Sequence, residues 1–186
     1  MKNIPLLKHL FLKRTLEEIK LVVMDFDGIF TDGGIYLGKN SSSFRRFDVK
    51  DGIGIKLLQK ESVQIAILSG SNSEIIDRRA KNLGIDNVIK ATSNKLKAIK
   101  KLQKKLNISK KETIFLGDDI NDLPVVDSVK LFIVPANASH ACRKIASFIG
   151  KSDGGRGFIR EIAERILYAK GKNPNKPFFS KNDYSD

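Results

Sequence analysis

An α/β fold, with a doubly wound parallel sheet covered by helices on both faces, follows from three features of the sequence. Short and nearly continuous apolar runs recur at Leu21 to Met24, Val63 to Leu68, Thr113 to Leu116 and Leu131 to Val134. Such runs fit strands buried on both sides better than strands with one face in water. Longer amphipathic segments separate them, and alternation of strand and helix implies parallel pairing with crossovers. Polar clusters follow the strands, at the end of the sheet where ligands bind in folds of this kind.

The first residues, MKNIPLLKHLFLKR, are apolar but interrupted by Lys8 and His9. They lack the continuous run and small-residue cleavage site of a signal peptide, so a short amphipathic helix packed on the domain is expected. No run of eighteen apolar residues encodes a membrane span. Leu21 to Met24 is the first strand. Asp32 to Asp48 then breaks the alternation with Gly33-Gly34, Gly38-Lys39-Asn40 and a run of serines. Flanked by Ile35-Tyr36-Leu37 and Phe44 to Phe47, this segment predicts a projecting β-hairpin, a flap over about residues 32–48. Helices are expected over Gly52 to Lys60, Ser73 to Leu83, Lys95 to Leu106, Ile120 to Val126 and Phe158 to Ala169. The chain of 186 residues suits one domain over 1–170, with a mobile tail rich in Lys, Asn, Pro and Ser at 171–186.

Composition narrows the function. Hydrophobic residues make up 41% of the chain, enough for a real core. Cys142 is the single cysteine, which excludes an internal disulfide and suits a reducing cytoplasm; its alanine-rich helical surroundings assign it to packing. The formal charge of +13 comes largely from lysines spread along the chain. No aromatic platform or reading motif accompanies it, so attraction of a small anionic substrate is preferred to nucleic-acid binding.

The carboxylates carry the chemistry. Asp25-Phe26-Asp27-Gly28 follows the first strand, Ser69-Gly70-Ser71 the second, and Gly117-Asp118-Asp119-Ile120-Asn121-Asp122 the third, while Ser93-Asn94-Lys95 opens a helix. Asp25 and Asp27, two apart on extended chain, face the same side. With Asp118 and Asp119 close by they would repel strongly unless a cation lay between them, and Mg²⁺ suits a few carboxylates together with substrate phosphate. Asp25 could then attack phosphorus, and Asp27 could protonate the leaving alcohol and later activate water. Ser69 and Lys95 would hold phosphate oxygens. Asp119 and Asp122 stay open between this site and ordinary helix capping.

These four motifs resemble the haloacid dehalogenase superfamily in order and residue type. A closer resemblance, through MDFDGIFTDGGIY, FDVKDGIGIK, ILSGSNS, SNKLKAI, GDDINDLPV and GGRGFIRE, is to its capless 3-deoxy-D-manno-octulosonate 8-phosphate phosphatase family. The resemblance implies Asp25 as nucleophile, Asp27 as acid/base, and Mg²⁺ held by Asp25, the Asp27 carbonyl and Asp118. It implies substrate contacts at Asp27, Asp48, Val49, Lys50, Asp51, Gly52, Lys56, Gly70, Arg79 and Lys95. Arg156, in Gly154-Gly155-Arg156-Gly157, is a further candidate if that segment is a basic arm instead of a turn before the last helix. Ser71 departs from the pattern, standing where these phosphatases commonly carry arginine. Losing that bidentate carboxylate binder brings nine-carbon, sialic-acid-type sugar-acid phosphates into view as alternative substrates. A rival of another class is a non-catalytic binding module of the same fold, against which the intact Asp25 and Asp27 argue.

Only 44 positions separate Asp25 from Ser69, and 26 separate Ser69 from Lys95, leaving no room for an inserted cap domain. The resemblance therefore implies a homotetramer in which each flap helps to wall a neighbouring site.

Overall fold

Leu21–Met24 is apolar throughout and forms β1, with all four side chains buried, at the centre of the molecule. The computed structural model describes residues 6–39 and 43–174. Positions 40–42 of the expected flap and the tail from residue 175 lie outside the described residues. The elements run α1 (Leu6–Glu17), β1, β2 (Tyr36–Leu37), β3 (Ser43–Phe44), α2 (Val49–Lys60), β4 (Gln64–Leu68), α3 (Glu74–Leu83) and β5 (Asn87–Ile89). There follow α4 (Lys95–Leu106), β6 (Thr113–Leu116), β7 (Leu131–Val134), α5 (His140–Ile145), β8 (Phe148–Ile149) and α6 (Phe158–Ala169).

Six strands pair in parallel in the order β5-β4-β1-β6-β7-β8, and β2 pairs with β3 in a separate antiparallel hairpin. The chain builds to one side of β1 through β4 and β5, then crosses to the other through β6 to β8. The reversal opens a crevice at the carboxyl end of β1, the usual ligand position in such sheets. Register sets its contents: Met24 is level with Ile67 of β4 and Leu116 of β6. Asp25, Ser69 and Asp118 therefore leave the sheet at nearly one height.

Alternation along β1 divides the core. Val22 and Met24 join one apolar cluster with Leu58 of α2, Ile76 of α3 and Ile162 of α6. Leu21 and Val23 face the other, with Ile99 of α4, Val125 and Cys142. Both faces of the sheet are thus sealed, as the unbroken apolar runs require.

The expected elements are present with adjusted ends. α2 begins three residues before Gly52 because Asp48 caps it, its Oδ1 accepting the Lys50 N–H at 2.9 Å. Ser73 and Asn94 cap α3 and α4 in the same manner. The segment expected as an α-helix over Ile120 to Val126 is instead a 3₁₀ helix, Ile120–Ser128. Pro124 lies inside it, supplies no N–H and would crowd a regular α-helical turn. The two-residue β8 has too little pattern to be read from sequence. Between Asp25 and Ser69 the described residues hold only the hairpin, α2 and β4, and between Ser69 and Lys95 only α3 and β5. Among the described residues no helix is long and apolar enough to cross a membrane.

Candidate active site

Asp25 follows β1 directly, its backbone N–H still bonded to the Leu116 carbonyl at 2.9 Å, so the sheet itself fixes its position. Its side chain is buried, and its Oδ1 lies 2.8 Å from Nζ of Lys95, the first residue of α4. Lys95 Nζ reaches Asp122 Oδ1 at 2.6 Å as well. Asp118 completes the group: oxygens of Asp25, Asp118 and Asp122 all lie within 4.8 Å of one another. Asp122 also accepts the N–H groups of Asp118 at 3.0 Å and Asp119 at 3.4 Å, which anchors the loop after β6. Asp119 caps the 3₁₀ helix through the Ile120 N–H.

Three carboxylates against one ammonium leave excess negative charge away from water. Burial first, then repulsion from Asp122, push the Asp25 carboxyl up to about 6 despite Lys95. Burial and the charges of Asp25, Asp122 and Asp119 push Asp118 to about 7. Burial would lower Lys95, but Asp25 and Asp122 outweigh it and hold its ammonium above the usual lysine value. Close, hard oxygen donors with an electrostatic deficit fit a divalent cation, which would let both acids ionise together.

Gly28 makes room for this arrangement. Its φ is +82°, and a Cβ there would stand 2.1 Å from Asp118 Oδ2. Gly154 in turn packs on Gly28, where a Cβ would meet the Gly28 carbonyl oxygen at 1.7 Å. Gly154 and Gly155 are thus pressed against this chain's own loop after β1. Arg156 is more than half exposed, with Nη2 3.6 Å from Asp32 Oδ2. Ser69 is buried beside the crevice, its Oγ accepting the Ser71 N–H at 3.1 Å, with the hydroxyl proton still able to donate. Gly70 is exposed at the same edge. Ser71 closes the turn into α3 by accepting the Ser73 N–H.

Asp27 is part-exposed at the mouth, and its Oδ1 accepts from Arg45 Nε at 3.0 Å. The remaining residues read as substrate contacts are dispersed. Asp48 caps α2 and meets Arg46, while Val49 and Lys50 are exposed at the start of that helix. Arg79 lies over the Phe47 ring at 4.8 Å, its Nη2 3.2 Å from where a Gly52 Cβ would stand, and its Nε is buried without a partner. Lys56 is exposed, with Nζ beside Gly84 at the far end of α3. Asp51 is 2% exposed, and its two oxygens accept the N–H groups of Gly157 at 3.1 Å and Arg160 at 3.0 Å. That makes it the cap of α6, 106 positions away. Sequence reasoning missed Arg45, although two successive arginines on extended chain must point to opposite faces.

Carboxylates gathered by a lysine at the switch point of a parallel sheet define a haloacid dehalogenase-like hydrolase. A model of that description, haloacid dehalogenase-like hydrolase, matches residues 60–162. The 3-deoxy-D-manno-octulosonate 8-phosphate phosphatase KdsC of Escherichia coli K12 is 35% identical over 156 residues, covering 84% of this chain and 83% of that protein. The chain belongs to this phosphatase family. Solved relatives share its fold. The Moraxella catarrhalis phosphatase, in complex with magnesium ion, phosphate ion and KDO, has TM-score 0.83 and 35% identity, covering 87% of this chain and 92% of that one. The cobalt-bound Haemophilus influenzae enzyme has TM-score 0.81 and 34% identity, covering 84% and 92%.

Proposed function

We propose that this chain hydrolyses 3-deoxy-D-manno-octulosonate 8-phosphate to the free sugar acid and phosphate, with Mg²⁺ as its metal. The observation that carries the reading is the buried Asp25, bonded to Lys95 and gathered with Asp118 at the end of β1. Mg²⁺, held by the carboxylates of Asp25 and Asp118 and the carbonyl of Asp27, would supply charge neutralisation for the nucleophile and the phosphoryl oxygens. Asp25 Oδ attacks phosphorus, and the bond to the sugar oxygen breaks. Asp27 gives that oxygen its proton. Water, losing a proton to Asp27, then attacks the phospho-aspartate and frees Asp25. Lys95 and the Ser69 hydroxyl stabilise the phosphoryl oxygens in both steps. Asp122 keeps Lys95 in place.

In this reading the sugar acid would contact Gly70, Lys50, Gly52, Val49, Asp48 and Arg79, which the fold spreads over the crevice edge, the start of α2 and the middle of α3. Lys56, beside the far end of α3, would serve a site only through the assembled oligomer, whereas Arg156 is paired with Asp32 beside its own subunit's crevice. A homotetramer suits the hairpin, whose Ile35, Leu37 and Phe44 are 61%, 81% and 60% exposed. Such apolar surface gains by covering a neighbouring crevice. The single buried Cys142 suits work in the cytoplasm.

Ser71 favours a second reading, a nine-carbon sugar-acid 9-phosphate as substrate. The test is phosphate release from a panel of eight- and nine-carbon sugar-acid phosphates, with magnesium or with chelator, beside Asp25→Asn. The proposal expects magnesium-dependent turnover, fastest on the eight-carbon substrate and abolished in the variant. Preference for nine carbons would move the assignment to the second reading. Folded protein releasing no phosphate from any member would leave only a binding module.

A further inference from the structure

Arg45 belongs to a projecting hairpin, yet its side chain is only 10% exposed. Its Nε donates to Asp27 Oδ1 at 3.0 Å, and its Nη1 donates to the Phe44 carbonyl at 3.3 Å, so the guanidinium is fixed at two points. Among the described residues, Arg45 is the only side chain bonded to the Asp27 carboxylate. The base of the hairpin is itself held. Arg46 turns the opposite way and donates to the Gly155 carbonyl and to Asp48 Oδ2. Phe47 pairs with Thr31 across an antiparallel bridge and packs edge-on against Phe26 at 5.8 Å. Arg45 thus approaches Asp27 from a rigid footing.

A carboxylate at the mouth of a crevice, 37% exposed, has rotamers to choose from. Acid catalysis requires its oxygen within hydrogen-bond reach of the leaving oxygen, and a small misplacement is costly. We propose that Arg45 is a positioning residue that aims Asp27 at the leaving-group oxygen, which makes turnover of alkyl phosphates depend on the base of the hairpin. The proposal rests on the acid/base reading of Asp27. A contact that only held the fold would slow every substrate alike. In the first step, aiming the acid matters only where the leaving group needs a proton: a sugar alkoxide does, whereas p-nitrophenolate departs as a stable anion; water activation by Asp27 in the second step is common to both substrates.

The experiment compares wild type, Arg45→Ala and Arg45→Lys on a sugar-acid phosphate and on p-nitrophenyl phosphate, with thermal melting of each. Arg45→Ala is expected to lower the single-turnover rate on the sugar-acid phosphate by about 100-fold, with KM and the burst rate of p-nitrophenolate release changed less than ~3-fold. Arg45→Lys should fall between, and millimolar guanidinium ion should restore part of the alanine variant's single-turnover rate on the sugar substrate, leaving the p-nitrophenolate burst rate unchanged. Equal loss on both substrates, loss confined to KM, or no loss on either would overturn the proposal. If the alanine variant melts early, the lysine variant and the guanidinium rescue decide the matter by the same ratio between substrates. Wild-type protein that turned over neither substrate would overturn the phosphatase reading instead.

Discussion

Lys95 Nζ and Asp122 Oδ1 meet at 2.6 Å, with 4% of one side chain and none of the other exposed to solvent. This pair is the keel of the site, since Lys95 also holds Asp25, and Asp122 also accepts the N–H groups of Asp118 and Asp119. Without Asp122, Lys95 keeps Asp25 as its counter-charge, but the N–H groups of Asp118 and Asp119 lose their acceptor. An orphaned donor costs about 1–3 kcal/mol, so Asp122→Ala should destabilise the protein by about 3 kcal/mol. For a chain of this length that corresponds to a fall in melting temperature of roughly 6–12 °C. Asp122→Asn keeps an acceptor and should fold better, but its weaker hold on Lys95 should still lower kcat about tenfold or more. Calorimetry and phosphate release on the two variants check both statements.

Gly28 is the second point where packing and chemistry coincide. Its φ of +82° disfavours any side chain, and a methyl group would overlap the Asp118 carboxylate. Since Gly154 fills the other side of the loop, Asp118 must give way. Gly28→Ala should weaken the apparent magnesium affinity by roughly 10–100-fold, the range seen when the support of a metal ligand is disturbed. The measurement is the magnesium concentration for half-maximal turnover. An unchanged value in a folded variant would remove Asp118 from the ligand set.

How far the site could be read from the chain depended on how local each signal was. β1 and the carboxylates after it were legible because unbroken apolar runs mark buried strands and polar residues after them mark the ligand edge. The 3₁₀ helix was not, since the periodicity of Ile120 to Val126 suits an α-helix until Pro124 and the bonds to Asp122 are placed in three dimensions. Asp51 sits within the substrate-contact motif, but its bonds to Gly157 and Arg160 join the start of α2 to the start of α6. Only tertiary register brings those groups together. Arg45 was hidden for the same reason: which of two adjacent arginines faces Asp27 is decided by how the hairpin folds back.

The raised carboxyls make stability depend on pH in a direction that the metal should reverse. Asp25 and Asp118 titrate near 6 and 7 in the fold, above the 3.8 of an ordinary aspartate. The folded state therefore binds these protons more tightly than the unfolded chain. Their contribution to stability is fully present below pH 4 and is lost as pH rises through 6 and 7. In chelator, the melting temperature should fall between pH 5 and pH 7.5 relative to the same protein saturated with magnesium. A bound cation holds both groups ionised, so magnesium binding should release protons and tighten as pH rises to about 7. Thermal melts across this range, with and without magnesium, test the sign. Parallel curves would show that the two acids do not share a cation.

The hairpin gives the last prediction. Ile35, Leu37 and Phe44 form exposed apolar surface on a two-stranded ribbon, an arrangement that is marginal when left in water. The base of the ribbon is pinned to its own subunit by Arg45 and Arg46, so its apolar strands are presented outward from a fixed root. An assembly that lays each ribbon over a neighbour's crevice would bury this surface and wall an otherwise open site. Leu37→Asp together with Phe44→Asp should therefore lower the subunit number seen by light scattering. The same change should cut turnover of the sugar-acid phosphate by about tenfold or more, with a small aryl phosphate nearly spared, because walls choose among large substrates and matter little to small ones. A double variant that turned over sugar-acid phosphate at the wild-type rate as a monomer would show that each subunit builds its site alone.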